Sequence, residues 1–246
     1  LRAFQQADVD DFFGRATLVE ELLGNLSVAG NQASFLAVVG PSGSGKSSLV
    51  KAGLLPHIQE HILDQEFDWY VTEMVPGTHP FEELESALLR IAPAEVPGLL
   101  EQLQEDTRGL VRAIKRIMPE EDAQIVIFID QFEEVFTLVE DEDERTHFLD
   151  MILAAAGDQR SRTTFIITIR ADFYDRPLLY SKFGELVRAH TELVLPLNDQ
   201  ELREAINGPA ETEGLRLEPG LVEAIINDVH ERPGALPLLQ YALTEL

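Results

Sequence analysis

Runs of Val, Ile, Leu and Phe recur at Phe35–Val39, Trp69–Val75, Ile125–Ile129, Phe165–Ile169 and Leu193–Leu195, and the stretches between them carry helical spacing. Leu84, Ala87, Leu88 and Ile91 fall on one helical face, as do Leu110, Ile114 and Ile117, and a further helix runs from about Asp143 to Ala156. Strand and helix therefore alternate. Because the runs are continuously apolar rather than alternating, the strands are expected to be covered on both faces, as in a mostly parallel sheet between helix layers. After Pro196 the rhythm changes to helices alone: Leu202, Ala205 and Ile206 share one face, and Leu221, Ile225, Ile226 and Val229 the next. The pattern predicts an entry segment and helix over 1–30, an α/β core with a five-stranded sheet over 31–197, and a small helical subdomain over 198–246. That subdomain stops inside a helical stretch, Leu236 to Leu246, so the sequence reads as a piece of a longer protein with an incomplete lid.

The 246 residues carry 44 acidic and 19 basic side chains, a formal charge of -25. Such a surface repels nucleic acid and anionic membrane, so partners of those classes are not expected. A triphosphate is still admissible, because backbone N–H groups and one lysine act within a few ångströms. With no cysteine, no disulfide scaffold exists. No apolar stretch approaches the roughly 18 residues of a membrane span, and the start lacks a signal segment. A soluble, cytoplasmic protein is expected.

Directly after Phe35–Val39, Gly40-Pro41-Ser42-Gly43-Ser44-Gly45-Lys46-Ser47 fits G-x-x-x-x-G-K-[ST] and opens a helix from Lys46. The chemistry needs that order: glycines let successive N–H groups converge on phosphate oxygens, the lysine bridges the β- and γ-phosphates, and the Ser47 hydroxyl ligates Mg²⁺. Ser48 is assigned to the α-phosphate. The fold class is accordingly α/β, of the P-loop NTPase type. The companion of such a loop is an acid at the end of another buried strand, and Asp130, after Ile125–Ile129, is expected to hold Mg²⁺ through water. Glu133 and Glu134 follow, and either could orient or deprotonate an attacking water. Arg170 ends the run beginning at Thr164, at the sheet edge where open α/β proteins bind ligands. It could reach a γ-phosphate or pair with Asp172.

Further blocks complete a family pattern: Phe12-Phe13-Gly14-Arg15, Ala52-Gly53-Leu54-Leu55-Pro56, Asp130-Gln131-Phe132-Glu133-Glu134-Val135-Phe136, Arg170-Ala171-Asp172-Phe173-Tyr174 and Gly234-Ala235-Leu236-Pro237-Leu238-Leu239. With them the chain resembles the STAND class of signal-transducing P-loop NTPases, in particular the novel bacterial type often found upstream of WD-repeat propellers. The resemblance implies that Phe13, Gly14 and Arg15 lie near the base and ribose, and that Pro237 rests against adenine and couples the helical lid to it. It also implies ATP or ADP with Mg²⁺, flanking sensor or effector domains such as WD repeats, and a homo-oligomer on activation. Two positions depart from the class: Ala16 stands where Glu usually follows Gly-Arg, and Gly234 and Pro237 are three positions apart, where plant and animal relatives have two.

The leading expectation is a regulatory switch in which Mg-ATP closes the helical subdomain and slow hydrolysis reopens it. A P-loop kinase of a small acceptor and an origin-recognition-like ATPase on DNA are the alternatives. His57-Ile58-Gln59-Glu60-His61 fits a zinc-peptidase pattern, but with no third ligand in view it is set aside.

Overall fold

The computed structural model describes residues 3–28, 35–62, 68–118, 123–158, 160–230, 236, 239 and 240. A 3-10 segment (Gln6–Asp11) leads into α1 (Ala16–Val28) and β1 (Phe35–Gly40). The nucleotide-loop helix follows as α2 (Lys46–Ser48), a π-helical turn (Leu49–Leu54) and α3 (Leu55–Ile62). Then come β2 (Asp68–Met74), α4 (Pro80–Ile91), α5 (Leu99–Glu105), α6 (Gly109–Ile117), β3 (Ala123–Ile129), α7 (Glu134–Thr137), α8 (Glu142–Gly157) and β4 (Thr163–Arg170). The chain continues through α9 (Asp175–Leu178), α10 (Ser181–Ala189), β5 (Thr191–Leu193), α11 (Asp199–Thr212) and α12 (Leu221–His230).

The five strands form one sheet in the order β2-β3-β4-β1-β5. β2 pairs parallel with β3, and β3 with β4, bringing Met74, Ile129 and Ile167 into line. This is the mostly parallel five-stranded α/β architecture that the hydrophobic rhythm predicts. β1 is buried throughout, and β3 and β4 nearly so, as continuous apolar runs require.

Two strands differ from expectation. β2, at the sheet edge, is covered only toward its end: Thr72 and Met74 are buried on one face, Tyr70 earlier on that same face is exposed, and Glu73 on the opposite face is exposed. The last strand lies two residues earlier than the Leu193–Leu195 run. The ladder ends at Leu193, Leu193 and Leu195 are exposed, and the buried Val194 packs over Gly40, whose missing Cβ would sit 2.7 Å from the Val194 carbonyl.

The chain forms two compact units. One comprises Leu1–Gly24, Gly40–His57 and Leu193–Leu246; the other comprises Asn25–Val39 and Ile58–Glu192. The second unit holds the sheet and the main core, in which Phe132 stacks on Phe183 at 5.6 Å and Phe35 meets Phe183 edge-on. On its surface the acidic run 140–144 starts α8: the Asp141 side chain accepts from the Asp143 and Glu144 N–H groups, while Glu142, Asp143 and Glu144 occupy the electropositive first turn. The first unit has a smaller core, Leu202, Ile206, Ile226 and Leu239. α11 there starts with a capping box, Asn198 with Glu201. Among the described residues no helix is long and apolar enough to cross a membrane.

Candidate functional site

The phosphate loop is shaped by its backbone. Gly43 and Gly45 take φ of +72° and +86°, the left-handed region that side chains resist, so neighbouring N–H groups can turn toward one side of the loop. At Gly45 there is also room: an added Cβ would come no nearer than 3.8 Å to the Leu236 side chain. Lys46 is 9% exposed, and its ammonium donates to the carbonyls of Gly40 at 2.9 Å and Pro41 at 2.8 Å. It is thus held inside the loop that it would serve. The Ser44 hydroxyl is buried with no hydrogen-bond partner among the described residues.

The segment Phe12–Arg15 lies in the same unit. Sequence resemblance places Phe13, Gly14 and Arg15 by the base and ribose; the structure packs them on α11. A Cβ on Gly208 would lie 2.4 Å from the Phe13 ring, and one on Gly14, at φ +83°, would lie 2.3 Å from the Glu201 carbonyl. Arg15 donates to the Leu195 carbonyl at 2.7 Å and pairs with Glu201 at 3.5 Å. Burial pushes the Arg15 pKa down from its ordinary value, and the Glu201 carboxylate opposes that shift. The start of this segment and the chain leading into it reach the loop helix: the Phe4 N–H donates to Ser48 Oγ at 3.1 Å, and the Phe12 ring fills the space over Gly53. The entry segment therefore touches both the nucleotide-loop helix and the helical module.

In the sheet unit, Asp130 follows β3 and is fixed from both neighbouring strands. Its N–H donates to the Met74 carbonyl at the end of β2, and its Oδ1 accepts from the Thr168 hydroxyl of β4 at 2.5 Å and from the Gln131 N–H at 3.1 Å. The turn is anchored by Phe132, which is fully buried. The structure separates the two glutamates that spacing alone leaves equivalent. Glu133 is 8% exposed, and its Oε2 accepts the Arg170 N–H at 3.2 Å, on the β4 side. Glu134 is half-buried, and its Oε2 accepts the Gly77 N–H at 3.1 Å, beyond β2.

The Arg170 guanidinium takes the alternative weighed from sequence. It donates to both oxygens of Asp172, at 3.0 and 2.6 Å, and lies 5.2 Å over the Phe173 ring. The paired Asp172 carboxylate raises its pKa further above the ordinary arginine value.

Gly40 to Ser48 and Phe13 to Arg15 thus belong to one unit, and Asp130, Glu133, Glu134 and Arg170 to the other. Pro237 lies outside the described residues; its neighbour Leu236 is the side chain nearest the Gly45 position. The residues of each unit, taken by itself, fit one part of a magnesium nucleotide: the loop its phosphates, and Asp130 a hydrated Mg²⁺. The orphaned Ser44 hydroxyl and the buried ammonium suit phosphate oxygens, and Mg²⁺ typically takes only one or two carboxylates because phosphates and water complete its shell. Sequence reasoning missed Thr168. The available signal was a single hydroxyl in the otherwise apolar strand Phe165–Ile169. It also missed Glu201 and Gly208, which nothing local connects to Phe13–Arg15.

The family model described as Novel STAND NTPase 1 matches residues 1–246. No curated protein matches the chain. Among solved structures, the chain is similar to the Aeropyrum pernix ORC1 protein in complex with DNA (TM-score 0.61, 13% identity, 95% of this chain and 60% of that one). It is also similar to Drosophila ORC bound to DNA (TM-score 0.59, 15% identity, 89% and 50%) and to a Walker-type ATPase of Pyrococcus abyssi (TM-score 0.57, 16% identity, 92% and 65%). The chain thus spans between half and two thirds of these structures, and at such identities the likeness is one of fold. By the family match, the chain belongs to the Novel STAND NTPase 1 family.

Proposed function

We propose that this NTPase is a nucleotide-dependent conformational switch that binds ATP with Mg²⁺, hydrolyses it slowly and relays its nucleotide state through the helical module. The supporting observation is that one compact unit contains the phosphate loop, the loop helix, the entry segment and α11, joined by Leu236 near Gly45, Val194 on Gly40, Phe4 on Ser48, and Phe13–Arg15 on α11. A ligand that moves the loop changes contacts made by the module, which is how a nucleotide acquires different affinities for two conformers.

The loop N–H groups, Lys46 and the Ser44 hydroxyl grip the phosphates, with Ser48 on the α-phosphate. Ser47 of the first unit and Asp130 of the second are the residues that would hold Mg²⁺, and the metal would supply neutralisation of phosphate charge. Glu133 accepts the proton of the attacking water: it is the more buried of the two glutamates, and the Arg170 N–H fixes its carboxylate. Glu134 braces the turn against Gly77. Hydrolysis is slow because the Arg170 guanidinium is engaged by Asp172, and an arginine acting on the transferring phosphoryl group typically contributes on the order of 10³- to 10⁵-fold in rate. In this reading flanking domains, such as WD repeats, supply input or output, and the activated form is a homo-oligomer. The charge of -25 weighs against a DNA-associated role.

Hydrogen exchange of α11 and α12 in the presence of Mg-ADP and of a non-hydrolysable Mg-ATP analogue tests the switch. Different protection in the two states is expected. Identical protection with both nucleotides bound would remove the switch and leave a simple NTPase; transfer of phosphate to a small acceptor would favour the kinase.

A further inference from the structure

We infer that Thr168 is a positioning residue that presets the Asp130 carboxylate for the metal; the inference rests on the reading above, in which Asp130 serves Mg²⁺. Thr168 is 1% exposed in β4, between the apolar Ile167 and Ile169. Packing alone gives no reason for a hydroxyl there, since valine has nearly the same shape and a buried hydroxyl is unfavourable unless it is bonded. Both the hydroxyl and the carbonyl of this residue are used on the acidic turn. The hydroxyl hydrogen goes to Asp130 Oδ1 at 2.5 Å, the hydroxyl oxygen accepts the Gln131 N–H at 3.0 Å, and the Thr168 carbonyl accepts the Phe132 N–H at 2.8 Å.

Three bonds from one residue fix three consecutive residues of the turn. Their effect is visible at Gln131, which holds φ +54°, a left-handed conformation uncommon for a side chain of its kind. Oδ1 of Asp130, holding both the Thr168 hydroxyl and the Gln131 N–H, sets the rotation of the carboxylate plane before any metal arrives. Metal capture then need not order that side chain, which is the advantage of preorganisation. Groups that orient metal ligands in this way commonly change metal affinity by about 10- to 100-fold when removed.

The test is a titration of the intact chain with a fluorescent ATP analogue, in EDTA and across a series of Mg²⁺ concentrations. Thr168→Val should bind the analogue in EDTA as the wild type does, but should need at least about tenfold more Mg²⁺ for half of the metal-dependent gain. Thr168→Ser keeps the hydroxyl and should restore the wild-type midpoint. Gln131→Gly keeps the N–H and should leave the midpoint in place while raising Tm. If the valine variant folds poorly, Thr168→Ala serves in its stead with the same expected shift. An unchanged Mg²⁺ midpoint, or an equal loss of affinity in EDTA, overturns the inference while leaving the metal reading intact. A wild-type chain whose nucleotide affinity ignores Mg²⁺ overturns both.

Discussion

The phosphate loop and the acidic turn each follow a buried β-strand, but they are built in opposite ways. The loop is shaped by backbone: left-handed Gly43 and Gly45, and a lysine folded onto the carbonyls of Gly40 and Pro41. The acidic turn is shaped by side chains and by neighbouring strands: Asp130 is bonded to Thr168 and Met74, Glu133 to the Arg170 backbone, and Glu134 to the Gly77 backbone. A backbone cradle needs only the right residues in a row. A side-chain cluster needs partners that the chain supplies about forty or sixty residues away, so its parts can be exchanged one at a time with graded effects.

That contrast can be broken at its strongest point first. On the turn, Glu133→Gln should lower phosphate release at saturating Mg-ATP by on the order of 10²-fold or more with nucleotide affinity kept. Glu134→Gln, assayed in parallel, should lower it far less, and the reverse ranking would exchange their roles. On the loop, Lys46→Ala should weaken Mg-ATP binding by at least about 30-fold, corresponding to ~2 kcal/mol at the low end for truncating one partner of a hydrogen-bonded charge pair. Calorimetric titration with an unchanged circular-dichroism spectrum checks it; wild-type affinity would remove the loop from nucleotide binding.

Smaller effects sharpen the comparison in the entry segment. Gly208→Val must displace the Phe13 ring and should destabilise by about 1–3 kcal/mol, as overpacking does, seen as a lower Tm. Equal stability would mean that the Phe13 contact on α11 is dispensable. The smallest change is expected for Arg170→Ala. Its pair with Asp172 is solvent-exposed and engages the guanidinium, so Tm and any preference for ATP over ADP should both stay near the wild type, and a narrowed preference would mean that Arg170 leaves Asp172 for the γ-phosphate. A falling Tm with unaltered nucleotide preference would make Arg170 structural.

The strands β1, β3 and β4 were legible because burial on both faces leaves an unbroken apolar run, whereas β2 and β5 were misjudged in exposure or register because edge position depends on strand order. For the site, spacing alone is enough to single out the loop residues and Asp130 as candidates. The choice between Glu133 and Glu134 could not, because adjacent residues after a strand differ only in which neighbouring segment they meet. The segment Phe13–Arg15 was recognisable as a motif, yet its packing on Glu201, Ala205 and Gly208 joins positions nearly two hundred residues apart.

The sequence by itself determined the α/β class, the phosphate loop and the acidic character of the turn, because helical and strand periodicity, glycine conformation and the loop's own backbone are local properties of the chain. The tertiary structure alone decided that Thr168 holds Asp130, that Arg170 is engaged by Asp172, and that the entry segment clasps α11 rather than standing by itself. Those arrangements depend on strand order and close packing, which bring distant residues within a hydrogen bond of one another and which no local pattern encodes.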